Sequence, residues 1–544
     1  MTGFDVIVVG AGGAGAPLAA RLSEDPERSV LLLEAGPVPE SVHGFPRELL
    51  DPGTVQGAMP GHPHNWSFTG NLTPALPYSI ARGRILGGST AINGGYFVRG
   101  RAEDFARWSA GGNDEWSWEK VLPVYRALEN DLDYGESAVH GGSGPMRVSR
   151  PAQNHPVASA FAAAAAELGF VEEPDKNDQA EPGCGPVPMN VWEGVRWNTG
   201  IAYILPVLGR ANLTVRGGST VRRVLFDGHR VVGVEVERNG AIEAVAGGEV
   251  VLAAGGVKSP HILLSSGIGP RADLEGFGIP VVHDLPGVGR GFSDHPELAI
   301  GWRARRRVVD YRTSQSMANV LNFTANGSEV PGDLEILPML KPTGYLLTGA
   351  RHDAGGARRV LRHPIRALAA LRGVSARRVL QQAARRNDLT LLVAVQAETS
   401  RGRIRLRSAD PGVPPLIDYD YLSTESDLRR MREAVRTAVR LLRSASFAHL
   451  FGRLTELDDA TLDDDAALDA WMLSRLGTAI HLCGSARLGP ADDPDAVVDQ
   501  YGRVHGVEGL RVADTSILPT TPLRGPAATA VLVGELVAGF MRRP

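Results

Sequence analysis

Cysteine is scarce in this chain of 544 residues, which has only Cys184 and Cys483. They form no C-x-x-C pair, and a disulfide framework or a cysteine-ligated metal cluster needs more thiols. We therefore expect no metal site and a reducing, cytoplasmic setting. An excess of charge of one sign is also lacking, since the formal net charge is −4, which gives no support for nucleic-acid binding.

Long apolar runs are missing as well. The best C-terminal candidate, residues 527–540, is interrupted by Glu535 and is too short to span a bilayer. It is better interpreted as a helix packed on a core. Met1 stands almost directly before the first apolar run, so we expect no signal peptide. The length and the 43% of hydrophobic residues are typical of a globular protein with two domains.

The glycines that are present form a nucleotide-binding pattern near the N-terminus. Gly10, Gly12 and Gly15 follow a short apolar run in the spacing G-x-G-x-x-G. The first permits a tight turn, the second lets backbone approach a pyrophosphate, and the third lets a helix pack closely on the sheet. A second apolar run ends at Glu34, 19 residues after Gly15, where a carboxylate can bind an adenosine ribose. The pattern predicts a dinucleotide site without separating NAD from FAD.

Two further observations favour FAD. Residues 287–291 lack the third-glycine spacing, so no second fingerprint of this kind is evident, and a single dinucleotide site suits a bound flavin. Residues 81–100 contain Gly87, Gly88, Gly94 and Gly95 without a strand–helix context. Such glycines suit a segment whose backbone must approach a large, flat ring system.

Several segments in order resemble those of the glucose–methanol–choline (GMC) oxidoreductases, a flavoprotein family. Residues 83–100 and 255–269 match its two signatures, with Gly256 where members usually have Pro, Ser, Thr or Ala. Residues 285–295 and 509–519 resemble two further family segments. The resemblance covers nearly the whole chain and is weakest between about residues 309 and 388, so the chain is identified as a member.

The resemblance implies an α/β fold, α+β overall, in which a Rossmann-like FAD-binding domain is interleaved with a substrate domain built on an antiparallel sheet with helices. The implied FAD-binding domain comprises residues 1–150, 211–295 and 480–544, and the implied substrate domain comprises residues 151–210 and 296–479. Turn residues at Asp227-Gly228 predict a hairpin from residues 215–224 and 231–237. Residues 249–254 and 390–407 are typical of strands, and residues 427–442 have helical spacing.

The resemblance also implies which positions bind FAD. Val221 is expected near the adenine through its main chain and Asp514 near the ribityl and pyrophosphate, while Gly88 to Gly94 would bracket the isoalloxazine. Ile92 stands where members with covalent flavin can use a histidine, so we expect non-covalent FAD. The complete set of implied cofactor-binding residues is Gly10, Gly12, Gly15, Glu34, Arg84, Gly88, Ser89, Asn93, Gly94, Val221 and Asp514.

Catalysis is expected near the C-terminus. Residues 478–489 resemble the family segment that places a histidine over the flavin, here His481. A neutral imidazole can take the proton of an alcohol hydroxyl near pH 7. The second catalytic position, His or Asn in most members, falls on Gly525. Either His481 acts alone, or the substrate, water or one of three neighbours supplies the missing group, the neighbours being Thr520, Thr521 and Arg524.

The sequence therefore predicts an FAD-dependent dehydrogenase that oxidises a CH–OH donor and passes electrons to an acceptor other than oxygen, such as a quinone or respiratory component. An alcohol oxidase producing hydrogen peroxide is one alternative. A lyase with structural FAD and a binding protein without turnover are two others. The ending at residues 520–536 also resembles an actinobacterial dehydrogenase associated with mycofactocin, a peptide-derived redox cofactor. That likeness implies the reduced, alcohol-like form of mycofactocin as a candidate substrate.

Residues 351–386 form a basic segment in which arginines alternate with apolar residues. The spacing predicts a basic amphipathic helix interrupted at Pro364 and Gly373. It is either a solvated insertion or a docking surface for an acidic electron acceptor or an anionic membrane. In the last case the protein would lie peripherally at the inner face of the cell membrane.

Overall fold

The computed structural model of the protein describes residues 3–306, 308, 315–349 and 388–542. The basic segment at residues 351–386 lies outside the described residues, so its predicted helix and its docking role stay predictions. No helix within the described ranges is both long and apolar enough to cross a membrane.

The first sheet carries the glycine turn. Phe4–Val9 lies between Val30–Leu33 and Ala241–Leu252, and the chain runs parallel in all three. The residues of Val30–Leu33 are fully buried, as expected for a central parallel strand. Among the described residues the sheet has seven strands, in the order Leu213–Arg216, Val30–Leu33, Phe4–Val9, Ala241–Leu252, Arg230–Arg238 and Ser219–Asp227, with Leu510–Val512 also paired to Ala241–Leu252.

The predicted hairpin forms, but its first strand begins later than expected. Asp227 pairs with Arg230 across the turn, whereas Val215 belongs to a separate strand parallel to Val30–Leu33. Gly217 and Gly218 divide the two strands, and Gly218 has a φ of +63° that continuous strand does not allow. The expected strand at residues 249–254 is the C-terminal half of the longer Ala241–Leu252.

The second large sheet has one apolar face and one mixed face. Leu298, Val393, Ile336 and Leu321 are aligned across four antiparallel strands and belong to a core that includes the helix Glu425–Arg443. Successive strand residues point to opposite faces, so their neighbours line the other side. The strands, in order, are Phe451–Leu454, Pro296–Ala304, Leu389–Val395, Leu334–Pro338, Asn319–Phe323 and Cys184–Pro186, with Gly477–Thr478 beside Pro296–Ala304.

The remaining elements connect and cover these sheets. A smaller sheet contains Arg290–Phe292, Gly402–Arg405, Leu416–Asp418, Phe68–Thr73 and Leu76–Ile80, and three strand pairs are Ile268–Gly269 with His283–Asp284, Glu129–Asp131 with Met146–Val148, and Val191–Trp192 with Val195–Arg196. The α-helices are Gly15–Leu22, Arg47–Leu50, Ala102–Ala110, Trp118–Leu128, Pro156–Glu167, Gly255–Ser265, Arg271–Gly276, Thr343–Thr348, Glu425–Arg443, Asp459–Asp463, Asp465–Arg475 and Ala527–Arg542.

The C-terminal helix confirms the interpretation of the last apolar run. It spans Ala527–Arg542 and packs on the helix of the glycine turn, where a Cβ on Gly534 would lie 2.2 Å from the carbonyl oxygen of Ala14. Most of its apolar residues are buried in the core of the first sheet. The α/β fold class with an antiparallel substrate-side sheet is thus confirmed. The predicted domain bounds stay predictions.

Close packing at the glycine turn yields a stability prediction. A Cβ on Gly15 would lie 1.9 Å from the carbonyl oxygen of Gly10 and 3.0 Å from the Ala253 side chain. We expect Gly15→Ala to lower the free energy of unfolding by about 1–3 kcal/mol or more, because helix and sheet must separate. Thermal unfolding of the two proteins measures the difference.

Gly539→Ala is the matched control. It also lies in a helix, and a Cβ there meets nothing within 4 Å. This variant is expected to gain up to about 1 kcal/mol from helix propensity. Equal unfolding midpoints for Gly15→Ala and the native protein would contradict the packing argument.

Candidate active site

The helix that follows the glycine turn has no side-chain cap at its N-terminus. Ala14 at its N-cap offers no side-chain hydrogen bond, and the first turn contains no acidic residue. The Ala16 N–H donates to the Gly12 carbonyl at 3.1 Å and Pro17 has no N–H, so it is mainly the positive end of the helix dipole that is available to an anion such as a pyrophosphate.

The two glycine-rich segments meet at this turn. Gly88 has a φ of +52°, and a Cβ on it would lie 2.7 Å from the Cα atom of Gly12. The Gly87 N–H donates to the Ala11 carbonyl at 2.8 Å. Side chains here would push the segments apart, so the contact requires glycine. The structure thus brings the nucleotide fingerprint and the first signature segment together.

Glu34 lies beside the same turn and is 5% exposed. Its carboxylate accepts the N–H of Ala11 at 3.0 Å and the N–H of Gly36 at 2.8 Å. Burial raises its pKa to about 7, although these two hydrogen bonds and the charge of Arg84 act in the opposite direction. Each oxygen keeps a second lone pair, with which Glu34 can still accept hydrogen bonds from a ribose.

The other implied cofactor residues occupy defined positions nearby or along the first sheet. The Arg84 guanidinium lies 4.8 Å from the centre of the Trp66 ring, and its Nε is buried without a hydrogen-bond partner. Ser89 Oγ accepts the Gly83 N–H at 3.1 Å, and Asn93 Oδ1 accepts the Gly95 N–H at 3.0 Å. These contacts fix the backbone of the first signature segment.

Val221 and Asp514 are both buried. Val221 pairs with Val236 in the hairpin. The Asp514 carboxylate accepts hydrogen bonds from the Gly255 N–H at 2.8 Å and from the Ser259 hydroxyl at 2.5 Å. Asp514 thereby ties the second signature segment to the chain that follows Leu510–Val512. The assignment of these residues to parts of FAD stays a prediction.

His481 is held at both its backbone and its ring. Its backbone N–H donates to Asp294 Oδ1 at 2.7 Å, and its Nδ1 lies 3.1 Å from Nδ1 of His295. Burial, assisted by the charge of Arg82, lowers the pKa of His481 to about 3. The ring is therefore neutral at pH 7, as a general base must be.

The predicted second catalytic position does face this histidine. A Cβ on Gly525 would lie 3.3 Å from Cε1 and 3.5 Å from Nε2 of His481. The neighbouring hydroxyls are occupied, since Thr520 Oγ1 accepts from the Trp108 indole at 3.1 Å and Thr521 Oγ1 lies 3.0 Å from Ser293 Oγ. No side chain at position 525 supplies a second polar group.

Arg524 is fully buried. Its Nη1 donates to the carbonyls of Leu523 at 2.7 Å and Gly332 at 3.3 Å, while Nε and Nη2 have no hydrogen-bond partner. The guanidinium is thus anchored to backbone carbonyls next to Gly525.

The mixed face of the second sheet carries carboxyl groups that sequence reasoning missed. Glu297, Ala394, Glu335 and Asn322 form one row across four strands. Burial, together with the charges of Glu335 and Asp294, raises the pKa of Glu297 to about 8. Glu297 stands two residues after His295 in the S-D-H segment, but only the strand pairing reveals that Glu335 shares its row.

An apolar wall covers the first signature segment at Gly94 and Gly95, and sequence reasoning did not predict it. Met317 Cε lies 3.0 Å from the position of a Cβ on Gly94, and Met189 Cε lies 3.5 Å from that of Gly95. Tyr96 packs against the same wall. Methionine side chains adapt their shape to what they contact. The members of this methionine wall are Val187, Met189, Met317, Val320, Leu337, Met339 and Leu346.

A separate buried cluster has the residue types of a metal site. One ligand-type atom from each of Glu129, Asp131 and His140 lies within 4.8 Å of the others. Arg99 and Arg150 form ion pairs with Glu129 and Asp131. Burial opposes the charge on His140, yet its hydrogen bonds to Asp131, Asp175 and Glu129 raise its pKa to about 10. Three cations thus neutralise the carboxylates, which indicates an ion-pair network.

Family models place the chain unambiguously. The GMC oxidoreductase N-terminal model matches residues 4–297, and the C-terminal model matches residues 398–534. The chain is a member of the GMC oxidoreductase family. It is therefore an oxidoreductase acting on CH–OH donors, and the expected cofactor FAD is confirmed at the level of the family.

Individual relatives agree with this assignment. An uncharacterized GMC-type oxidoreductase in the thcA 5′ region of Rhodococcus erythropolis is 38% identical over 540 residues, covering 99% of this chain and 98% of that protein. The mitochondrial choline dehydrogenase of Homo sapiens is 34% identical over 558 residues, with coverage of 99% and 90%. The crystal structure of pyridoxine 4-oxidase from Mesorbium loti has a TM-score of 0.86 at 28% identity and covers 99% of both chains.

The residues of this chain fit a bound FAD. The uncapped helix N-terminus suits the pyrophosphate, and the glycine contact at Gly12 and Gly88 leaves backbone without side chains beside it. Glu34 keeps acceptor capacity for the ribose. Asn93, Gly94 and His481 are half-buried, so these positions are open to contact with a ligand.

Glu34 provides a test of this fit. We expect Glu34→Gln to weaken FAD retention by about 1–3 kcal/mol, since a charge-assisted acceptor is lost and the amide NH2 faces backbone N–H groups. The FAD content after dialysis, read from the flavin absorbance per protein, measures the effect. Glu27→Gln, at an exposed site seven residues earlier, should retain FAD as the native protein does. Equal retention in both variants would contradict the assignment.

Proposed function

We propose that this protein oxidises an alcohol to a carbonyl compound with His481 as the general base and passes the electrons to an acceptor other than oxygen. The observation that carries the proposal is the neutral His481 ring, whose Nε2 edge faces the side-chain-free position Gly525. Bound FAD supplies the hydride acceptor. The chain itself binds and orients the alcohol and takes up the hydroxyl proton.

The proton of the substrate hydroxyl is taken up at Nε2 of His481. The opposite nitrogen, Nδ1, is engaged with His295 at 3.1 Å, so Nε2 is the nitrogen open to a substrate. Gly525 leaves room for the hydroxyl on that edge but offers no second hydrogen bond. Of the two catalytic positions of the family, His481 and Gly525 in this chain, only His481 has a polar side chain.

The same lack of a second polar group supports a non-oxygen acceptor. Reaction of a reduced flavin with oxygen is helped by fixed positive charge beside the ring. Arg524 is the nearest candidate, and its Nη1 is held by the carbonyls of Leu523 and Gly332, so the proposal requires that this fixed charge lies away from the flavin ring. A quinone or another respiratory component is the acceptor we propose. Reduced mycofactocin as substrate and peripheral membrane contact remain parts of this proposal that rest on sequence alone, and non-covalent FAD rests on Ile92.

The side chains on the mixed face of the second sheet favour a substrate alcohol with one apolar end and one positively charged end. Glu297 and Glu335 lie in one row on the mixed sheet face, and the methionine wall continues that face through Val320 and Leu337. The Glu297 and Glu335 side chains are half-buried, and an organic cation beside them would favour their ionised forms. That the relative in Homo sapiens is named choline dehydrogenase agrees with this substrate class.

An anaerobic panel of alcohols tests the reaction type. Choline, benzyl alcohol and simple aliphatic alcohols are mixed with the oxidised enzyme while the flavin spectrum is recorded. Bleaching means that hydride reaches the flavin, as proposed. Mandelonitrile, a cyanohydrin, forms a separate arm of the panel: its cleavage to benzaldehyde and cyanide without bleaching would identify a lyase with structural FAD instead.

His481→Ala should slow flavin reduction by roughly 100- to 10,000-fold, the usual scale for removal of a general base. Stopped-flow absorbance under anaerobic conditions measures the rate. FAD content should stay at the native level, and His449→Ala, at an exposed histidine, should reduce its flavin at the native rate. A fast His481→Ala enzyme would rule out the assigned base.

Oxygen should be a poor acceptor. Substrate-reduced enzyme is expected to reoxidise slowly in air and rapidly with an artificial quinone or dye, because Gly525 supplies no polar or charged side chain opposite His481. Oxygen uptake and dye reduction are compared in the same preparation. Hydrogen peroxide formation at the rate of dye reduction would establish an oxidase.

Glu297→Gln should weaken binding of a cationic alcohol by about 10- to 100-fold, the scale of a lost charge-assisted contact. Choline and its neutral isostere 3,3-dimethylbutan-1-ol form a matched pair of ligands, and only choline should lose affinity. Because the pKa of Glu297 is about 8 in the free protein, choline binding should tighten as pH rises towards 8. Equal effects on both ligands would refute the charge argument.

A further inference from the structure

Two histidine rings meet nitrogen to nitrogen at the centre of the site. Nδ1 of His481 lies 3.1 Å from Nδ1 of His295, and the rings are perpendicular with centroids 5.2 Å apart. At this distance one nitrogen donates a hydrogen and the other accepts it. The two rings therefore share one proton along this line.

Both rings are neutral, so each carries one proton in total. Burial is the main cause of the lowered pKa values. The charge of Arg82 further lowers the pKa of His481, and the pKa of His295 is further lowered because the two adjacent rings disfavour a double cation. Two tautomer pairs are possible. In one, His481 donates from Nδ1 and its Nε2 is bare; in the other, His295 donates and Nε2 of His481 is protonated. Only the first pair leaves a base for the substrate.

The surroundings of His295 favour the first pair. His295 is fully buried, and its Nε2 has no partner within hydrogen-bond geometry. The backbone carbonyls of Pro522 and Gln396 nevertheless favour a proton on the His295 ring. Nδ1 of His295 is directed at Nδ1 of His481, so Nε2 is the ring nitrogen left to carry that proton. A proton on Nε2 of His295 leaves Nδ1 as an acceptor for His481.

The backbone holds this geometry rigidly. Asp294 Oδ1 accepts the N–H of His295 and the N–H of His481, both at 2.7 Å. Ser293 and Cys483 exchange two backbone hydrogen bonds at 3.0 and 2.9 Å. The segments that carry the two rings are thus fixed side by side.

From this geometry we infer that His295 is a positioning residue that holds the proton of His481 on Nδ1 and thereby keeps Nε2 free to accept the substrate proton. The inference rests on the proposed role of His481 as the base. It assigns a function to a residue that touches neither the substrate hydroxyl nor the position of Gly525.

The tautomer can be read without any substrate. In the holoenzyme labelled with 15N-histidine, NMR distinguishes protonated from bare ring nitrogens, and the His481 signals are assigned by their loss in His481→Gln. We expect a protonated Nδ1 and a bare Nε2 on His481 between pH 6 and 8. A protonated Nε2 on His481 in the native enzyme would overturn the inference.

Two variants separate positioning from mere packing. His295→Gln keeps an oxygen acceptor for the Nδ1 proton, whereas His295→Leu removes it. In His295→Leu we expect both tautomers of His481 to be populated. Flavin reduction by the best alcohol of the panel should then slow by about 10- to 1,000-fold. This loss is smaller than the loss expected when the base is held entirely in the wrong tautomer. His295→Gln should keep the Nδ1–H tautomer and reduce its flavin within about threefold of the native rate.

The outcomes are distinct. Two equally slow variants, or a His295→Leu enzyme that keeps the native tautomer, would overturn the positioning role. His449→Gln controls for substitution of a histidine at an exposed site. Failure of the proposed function gives other results: the alcohols do not bleach the flavin of the native enzyme, or His481→Ala reduces its flavin at the native rate. The NMR measurement of the native tautomer does not depend on either result.

Discussion

Direct contact between backbones, possible only where side chains are absent, is the constraint on which the cofactor side of this molecule depends. A Cβ on Gly36 would lie 2.0 Å from the carbonyl oxygen of Arg84, much as Gly15 meets Gly10 and Gly88 meets Gly12. These contacts bring the first signature segment against the glycine turn and the end of the second strand. They also place the N–H groups of Ala11 and Gly36 where the Glu34 carboxylate can bridge them.

The substrate side depends on the second large sheet, which has one apolar face and one face that carries carboxyl groups. The apolar face, with Val393 and Ile336 at its centre, is buried with the helix Glu425–Arg443 and needs no polar group. The other face can therefore hold Glu297 and Glu335 in one row. A neighbouring row of the same face belongs to the methionine wall. Burial of carboxyl groups costs free energy, as the raised pKa of Glu297 shows, which is expected where a ligand offsets that cost.

Local patterns made much of the fold predictable from the sequence. Val30–Leu33 and the last helix both coincide with apolar runs of the sequence, because nearly all of their residues are buried. The hairpin start was wrong because the continuous β-type sequence through Val215 hides the break at Gly217-Gly218. Long-range geometry was not accessible: the contact of His295 with His481 joins residues 186 apart, and no spacing rule encodes it.

Position 525, where most family members have His or Asn, is glycine here, and the contacts on both sides of the His481 ring give a physical reason for it. A side chain at that position would begin 3.3 Å from Cε1, a tight contact that would press the ring towards His295. Glycine lets the ring sit where Nδ1 reaches His295 at 3.1 Å and leaves the Nε2 edge open. In the reaction proposed above, the substrate hydroxyl would receive one polar contact instead of two. Orientation of the alcohol would then depend on its far end, and the proposal therefore assigns substrate choice to the carboxyl row and the methionine wall.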